Sequence, residues 1–134
     1  HRLLPIYIGS PEAASIHYAL EGIDPPRPLT HDLFISVIDQ LGASLSKVVV
    51  TEVRDHTYYA ELHLTVGDDE QIISSRPSDA IALAVRCEAP LFAESALLEE
   101  VGQIPEPEPE EEAEEIIDEF KDFIESVSPD DFAS

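Results

Sequence analysis

Tryptophan and methionine are absent, and there is a single cysteine. With only Cys87, no intramolecular disulfide can form, and a reduced, cytoplasmic compartment is the expected setting. No pair of Cys or His stands at short spacing, which excludes an ordinary zinc site. No apolar run approaches the ~20 residues of a membrane-spanning helix, so no membrane association is expected. A Walker loop, a dinucleotide-binding glycine fingerprint and a serine nucleophile elbow are all missing. Positive charge is the scarcest commodity: 7 Lys and Arg face 29 Asp and Glu, for a net charge of −22. Such a field repels phosphate backbones at long range and leaves too few bases for a duplex-binding stripe. The few aromatics show no base-stacking pattern. Nucleic-acid chemistry would have to occur at a local cationic spot.

The negative charge is unevenly spread. Residues 1–101 hold 16 acids and 6 bases (−10), whereas residues 102–134 hold 13 acids and 1 base (−12). The composition therefore divides the chain into a folded domain (1–102), a Pro/Glu linker (103–112) with nothing to bury, and an acidic helix and tail (113–134). In the last segment Ile116, Ile117, Phe120, Phe123, Ile124 and Val127 recur at helical spacing until Ser128-Pro129-Asp130-Asp131 stops them. So short a helix is marginal alone, and its apolar stripe must dock on its own domain, on a second subunit or on a basic protein partner.

Within the folded domain, Leu3–Ile8 reads as a strand with Pro5 near an edge. The chain opens at His1 without Met and enters this run at once, as if a natural N-terminal segment were missing. Ser10-Pro11-Glu12 starts a helix that Gly22 ends, with Ser10 as its cap. Three prolines stiffen residues 23–29. Thr30 caps a second helix, with Asp32 in its first turn. Lys47–Arg54 and Thr57–Val66 form a hairpin about Asp55-His56, since Ala60, Leu62 and Leu64 alternate with Glu61, His63 and Thr65. Gly67-Asp68-Asp69 is a second turn and Gln71–Ser74 a further strand. Arg76-Pro77-Ser78-Asp79 opens an almost wholly apolar, hence buried, helix. Pro90–Ala93 is strand-like and Ser95–Val101 a short helix. Helices mixed with mostly antiparallel strands make the class α+β.

Three blocks, Leu4-Pro5-Ile6-Tyr7-Ile8-Gly9 with Glu12-Ala13, Pro26-Arg27-Pro28-Leu29-Thr30-His31-Asp32-Leu33, and Arg76-Pro77-Ser78-Asp79-Ala80-Ile81-Ala82-Leu83-Ala84, resemble signature blocks of the bifunctional nuclease family in order and spacing. Tyr58-Tyr59-Ala60 and Ala89-Pro90-Leu91-Phe92 are similar too, so the resemblance runs from about Leu3 to about Gly102. The segment from Phe120 to Phe132 looks like the acidic C-terminal extension of actinobacterial members, and members carry a further N-terminal strand region. The resemblance implies a self-associating α+β domain, a dimer being favoured, and, for some plant members, hydrolysis of both RNA and DNA.

Phosphodiester hydrolysis needs an activated water, charge compensation at phosphorus and a stabilised leaving oxygen. Carboxylate-bound Mg²⁺ or Mn²⁺ can supply all three, with Glu12, Asp32 and Asp79 as candidate ligands. His31, Asp32 and Asp79 are the catalytic candidates, His31 because imidazole suits proton transfer near neutrality. Arg27, Arg76 and Ser78 are the substrate-binding candidates. Most lie at helix N-termini, where free N–H groups attract anions, so one shared site requires three first turns to converge. Each residue also has a plainer role. First-turn acids stabilise a helix by ~0.3–1 kcal/mol, Arg76 can pair with Asp79, and His31 can bond locally. The competing function is a non-enzymatic module that oligomerises and binds a protein or a small anionic ligand.

Overall fold

A computed structural model describes residues 1–106 and 109–127. The stop expected at residues 128–131 and part of the linker lie outside them. Among the described residues are five helices, α1 (Ser10–Leu20), α2 (Thr30–Gln40), α3 (Pro77–Cys87), α4 (Ser95–Val101) and α5 (Pro109–Ser126). Four strands, β1 (Ala43–Arg54), β2 (Thr57–Val66), β3 (Asp69–Ser75) and β4 (Leu91–Ala93), form one sheet in the order β3-β2-β1-β4. The first three strands are antiparallel neighbours and β4 runs parallel to β1, so the fold is α+β with a mixed, mostly antiparallel sheet. Two compact units are present, one of Arg2–Gln103 and one beginning at Ile104.

The strands follow from alternation. Ala60, Leu62 and Leu64 of β2 join Val48 and Val50 of β1 in the core, while Glu61 and His63 point to the other face. There His63 lies between Glu70 Oε1 (2.7 Å) and Glu61 Oε2 (3.1 Å). The β1–β2 register shifts at Leu45/Lys47 and at Val50/Glu52. At each shift the extra residue's hydroxyl finds a carbonyl on β2: Ser46 Oγ donates to His63 O (2.8 Å) and Thr51 Oγ1 to Tyr59 O (3.3 Å).

The hairpin turn Asp55-His56 has φ of 50° and 64°, the double left-handed conformation of a type I′ turn. That conformation costs an L-residue roughly 1–2 kcal/mol, against about 0.5–1 kcal/mol of extra chain entropy lost by glycine. His56→Gly is therefore expected to stabilise the domain by about 0.5–1 kcal/mol, read as a raised urea midpoint. The second turn is built with Gly67 in place (φ 61°).

Helix α3 lies at the centre. Its Ala80, Leu83 and Ala84 join the sheet core, and α1 and α2 pack against it. The small alanines let the backbone approach closely. α1 has no buried residue and leans on α3. Ile38 anchors α2 and Leu97 anchors α4 in the same core.

Three local expectations are corrected. Leu3–Ile8 is not a strand: Leu3 makes one antiparallel bridge, to Gln103, and the pairing goes no further. Pro5 has no N–H to continue a ladder, and Leu4 and Ile6 pack on the core instead. The caps also sit one residue early, at Gly9 rather than Ser10 and at Leu29 rather than Thr30. At α2 the N3 residue Asp32 reaches back, its Oδ2 accepting the N–H of the N-cap Leu29 (3.0 Å), the carboxylate half of a capping box.

In the second unit, α5 begins at Pro109, inside the segment read as linker. Proline suits a first helical position and the glutamates that follow suit the dipole. Ile116, Ile117, Phe120, Phe123 and Ile124 are all exposed. Among the described residues no helix is long and apolar enough to cross a membrane.

Candidate active site

The first turns of α1, α2 and α3 meet: the Arg76 guanidinium ties α1 to α3, and His31 brings α2 onto Asp79. Arg76, the N-cap of α3, donates from Nε to Asp79 Oδ2 (2.8 Å), from Nη2 to Asp79 Oδ1 (3.1 Å) and from Nη1 to Glu12 Oε1 of α1 (3.2 Å). Asp79 Oδ1 is also 2.8 Å from His31 Nε2 of α2, and His31 Nδ1 is 2.7 Å from Ser15 Oγ of α1.

The network sets its own polarity. Asp79 is held below the usual carboxylate range by the Arg76 hydrogen bonds, with burial opposing and His31 assisting. It is ionised at neutral pH and can only accept, so His31 donates from Nε2. In the neutral ring Nδ1 is then the bare nitrogen, and Ser15 donates to it. Arg76 in turn is pushed above its ordinary value by Asp79 first and Glu12 second.

A second guanidinium works from below. Arg86, at the other end of α3, donates from Nε to Asp32 Oδ1 (2.8 Å), from Nη1 to Ala82 O (2.8 Å) and from Nη2 to Ser15 O and Ser15 Oγ (3.2 Å each). Its side chain is 9% exposed. Asp32 is lowered chiefly by its Arg86 hydrogen bond, against desolvation. A carboxylate whose folded value lies below its unfolded one stabilises the fold above about pH 4 and loses that contribution as pH falls through the folded value. Asp32→Asn should therefore cost most near neutrality and progressively less in acid, as urea titrations of both proteins would read.

Glu12, Ser15, His31, Arg76 and Asp79 line one open cleft of about 590 Å³, together with Tyr18, Pro28 and Thr30. Such a volume accommodates a nucleotide-sized group. The other candidates do not join it. Asp32 opens onto neighbouring cavities, one of them shared with Arg86. Ser78 is buried and lines a separate cavity with Arg76 and Glu12. Arg27 is exposed and lines none of these clefts.

The donor set for Mg²⁺ or Mn²⁺ does not assemble. Among the described residues no three His, Cys, Asp or Glu groups are placed to hold a metal. Glu12 and Asp79 converge on Arg76, whereas Asp32 is spent on Arg86 and the Leu29 N–H.

Two members of the network escape a reading of the sequence. Arg86 leaves a faint signal, since a lone base in the last turn of an apolar helix must find a carboxylate when buried. Ser15 leaves none, being one small polar residue among several on α1.

A family model described as the bifunctional nuclease domain matches residues 1–106. An uncharacterized protein of Mycobacterium tuberculosis is 43% identical over 136 residues, covering 98% of this chain and 81% of that protein. Bifunctional nuclease 1 of Oryza sativa subsp. japonica is 34% identical over 92 residues, and Bifunctional nuclease 2 of Arabidopsis thaliana 35% over 92. Each plant match covers 66% of this chain and 28% of the plant protein. With a family match across the whole helix-and-sheet unit, the chain belongs to the bifunctional nuclease domain family.

Proposed function

We propose that the domain hydrolyses phosphodiester bonds in RNA, DNA or both, at the cleft between the first turns of α1, α2 and α3. The observation that carries this reading is the joining of His31 of α2 with Asp79 and Arg76 of α3 in one cleft. His31 moves protons. Asp79 fixes its tautomer and offsets the charge of the imidazolium. Arg76, whose side chain is 63% exposed, meets the phosphoryl oxygens, while Glu12 and Asp79 hold it in place. The plant relatives named as nucleases support the substrate class. The setting we propose is cytoplasmic.

The test is cleavage of single-stranded RNA and DNA by highly purified protein with Mg²⁺, Mn²⁺ or EDTA. Cleavage that survives EDTA fits the guanidinium-bound carboxylates. Cleavage lost in EDTA would mean that a metal displaces Arg76 from Glu12 and Asp79. A second reading has its own support: both guanidinia are already paired with carboxylates, on a chain of net charge −22. On that reading the domain is a non-enzymatic, self-associating module that binds a small anion, or a basic protein through α5. Absence of cleavage under every condition would favour it.

A further inference from the structure

We propose that Ser15 is the nucleophile of this site, so that hydrolysis passes through a phosphodiester joining Ser15 to the retained nucleotide. This presupposes the phosphodiester substrate proposed above. A general base needs a bare nitrogen facing the proton it removes. His31 Nε2 is taken by Asp79 (2.8 Å), and the hydroxyl on the basic Nδ1 is Ser15 Oγ (2.7 Å). As the network stands, the proton within reach of His31 is the one on Ser15. The order hydroxyl, imidazole, carboxylate is that of a nucleophilic triad, with the ring turned so that Nδ1 rather than Nε2 faces the serine.

Three further features distinguish this serine from one that merely rests against a histidine. A mid-helix hydroxyl ordinarily bonds back to its own helix, yet Ser15 Oγ reaches across to a residue 16 positions away. Arg86 Nη2 donates to the same oxygen (3.2 Å), where it would stabilise negative charge developing on Oγ. That guanidinium is also anchored on Asp32, Ala82 O and Ser15 O, so it is already in place when the charge appears. Finally, Ser15 lines the same cleft as Arg76, the cation available to the phosphoryl group.

The step balances within the chain and water. Ser15 Oγ attacks phosphorus and its proton passes to His31 Nδ1. The bond from phosphorus to the leaving sugar oxygen breaks, and that oxygen takes the proton from His31. Water then attacks phosphorus of this seryl phosphodiester and gives its proton to His31. The bond from phosphorus to Oγ breaks, and Oγ recovers the proton. No oxidant, reductant or other co-reactant enters.

The test uses the full chain and two readouts. The first is phosphonylation by a fluorophosphonate, located by peptide mass spectrometry, in wild type and His31→Gln. The second is cleavage of single-stranded RNA and DNA by wild type and Ser15→Ala. We expect an adduct on Ser15, formed at least about a hundredfold more slowly without His31. We expect cleavage to fall at least about a thousandfold in Ser15→Ala. The location of the adduct is read on wild-type protein and stands even if a variant folds poorly. Absence of an adduct on Ser15, or labelling indifferent to His31, overturns the nucleophile. Cleavage undiminished in Ser15→Ala overturns it too, while leaving the nuclease reading intact. A His31-dependent adduct in a protein that cleaves neither nucleic acid supports the nucleophile and removes nucleic acid as its substrate.

Discussion

Asp79→Asn is expected to lower cleavage of single-stranded RNA and DNA by about 10²–10⁴-fold. The carboxylate accepts three N–H groups, one from His31 and two from Arg76. An amide keeps one acceptor oxygen and turns an NH₂ toward the remaining donors. The cheapest relief is for neutral His31 to move its proton to Nδ1, so that Nε2 accepts from the amide. Nδ1 then donates to Ser15 and can no longer take a proton from it. Arg76 loses its bidentate partner at the same time, keeping at most one bond to residue 79 beside that to Glu12. His31→Ala should cost as much, and the double variant little more than either single one, because the two residues act as a unit. Thermal unfolding of each variant separates loss of chemistry from loss of fold. Retained cleavage in both single variants would remove these residues from the mechanism.

The largest effect on stability is expected from Arg86→Ala, a loss of about 2–4 kcal/mol. Removing one partner of a buried pair costs roughly 3–5 kcal/mol, because the other charge is left stranded. The upper part of that range is discounted here because Asp32 is 32% exposed and water can reach it. Arg86 also closes α1 onto α3 through the Ser15 carbonyl and oxygen, and those acceptors lose a donor too. For a domain of this size the melting temperature should fall by roughly 10–20 °C. Asp32→Leu combined with Arg86→Met should recover most of the loss, since an apolar pair leaves no charge to solvate. A single-variant cost below about 0.5 kcal/mol, the scale of ordinary surface substitutions, would show that the pair contributes nothing beyond surface contact.

The parts of the fold visible in the sequence are those decided by neighbours. The hairpin is legible because alternation from Thr57 to Val66 and the Asp55-His56 turn are local signals. The starts of α1, α2 and α3 are legible to within a residue because proline and acids mark first turns. Leu3–Ile8 misleads, because apolar composition cannot say whether a strand will find a partner edge, and Pro5 settles against it. The site is of another kind. Its bonds join residues 48, 64 and 71 positions apart. Glu12, His31, Arg76 and Asp79 could be nominated singly, since each residue type suits the chemistry. Their meeting is set by how α1 and α2 pack on α3, which no periodicity records. Asp32 shows the converse hazard: a plausible ligand by type, it is consumed by a cap and a buried arginine.

The absence of any buried residue on α1 has a consequence for motion. A helix held by a half-buried face and a few polar bonds opens at lower free energy than strands locked in a core. Backbone amides of α1 should therefore exchange with solvent deuterium well before those of β1 and β2. Each opening would carry Glu12 and Ser15 away from His31 and Arg76 while the sheet stayed intact. Such local openings would widen the cleft without unfolding the domain.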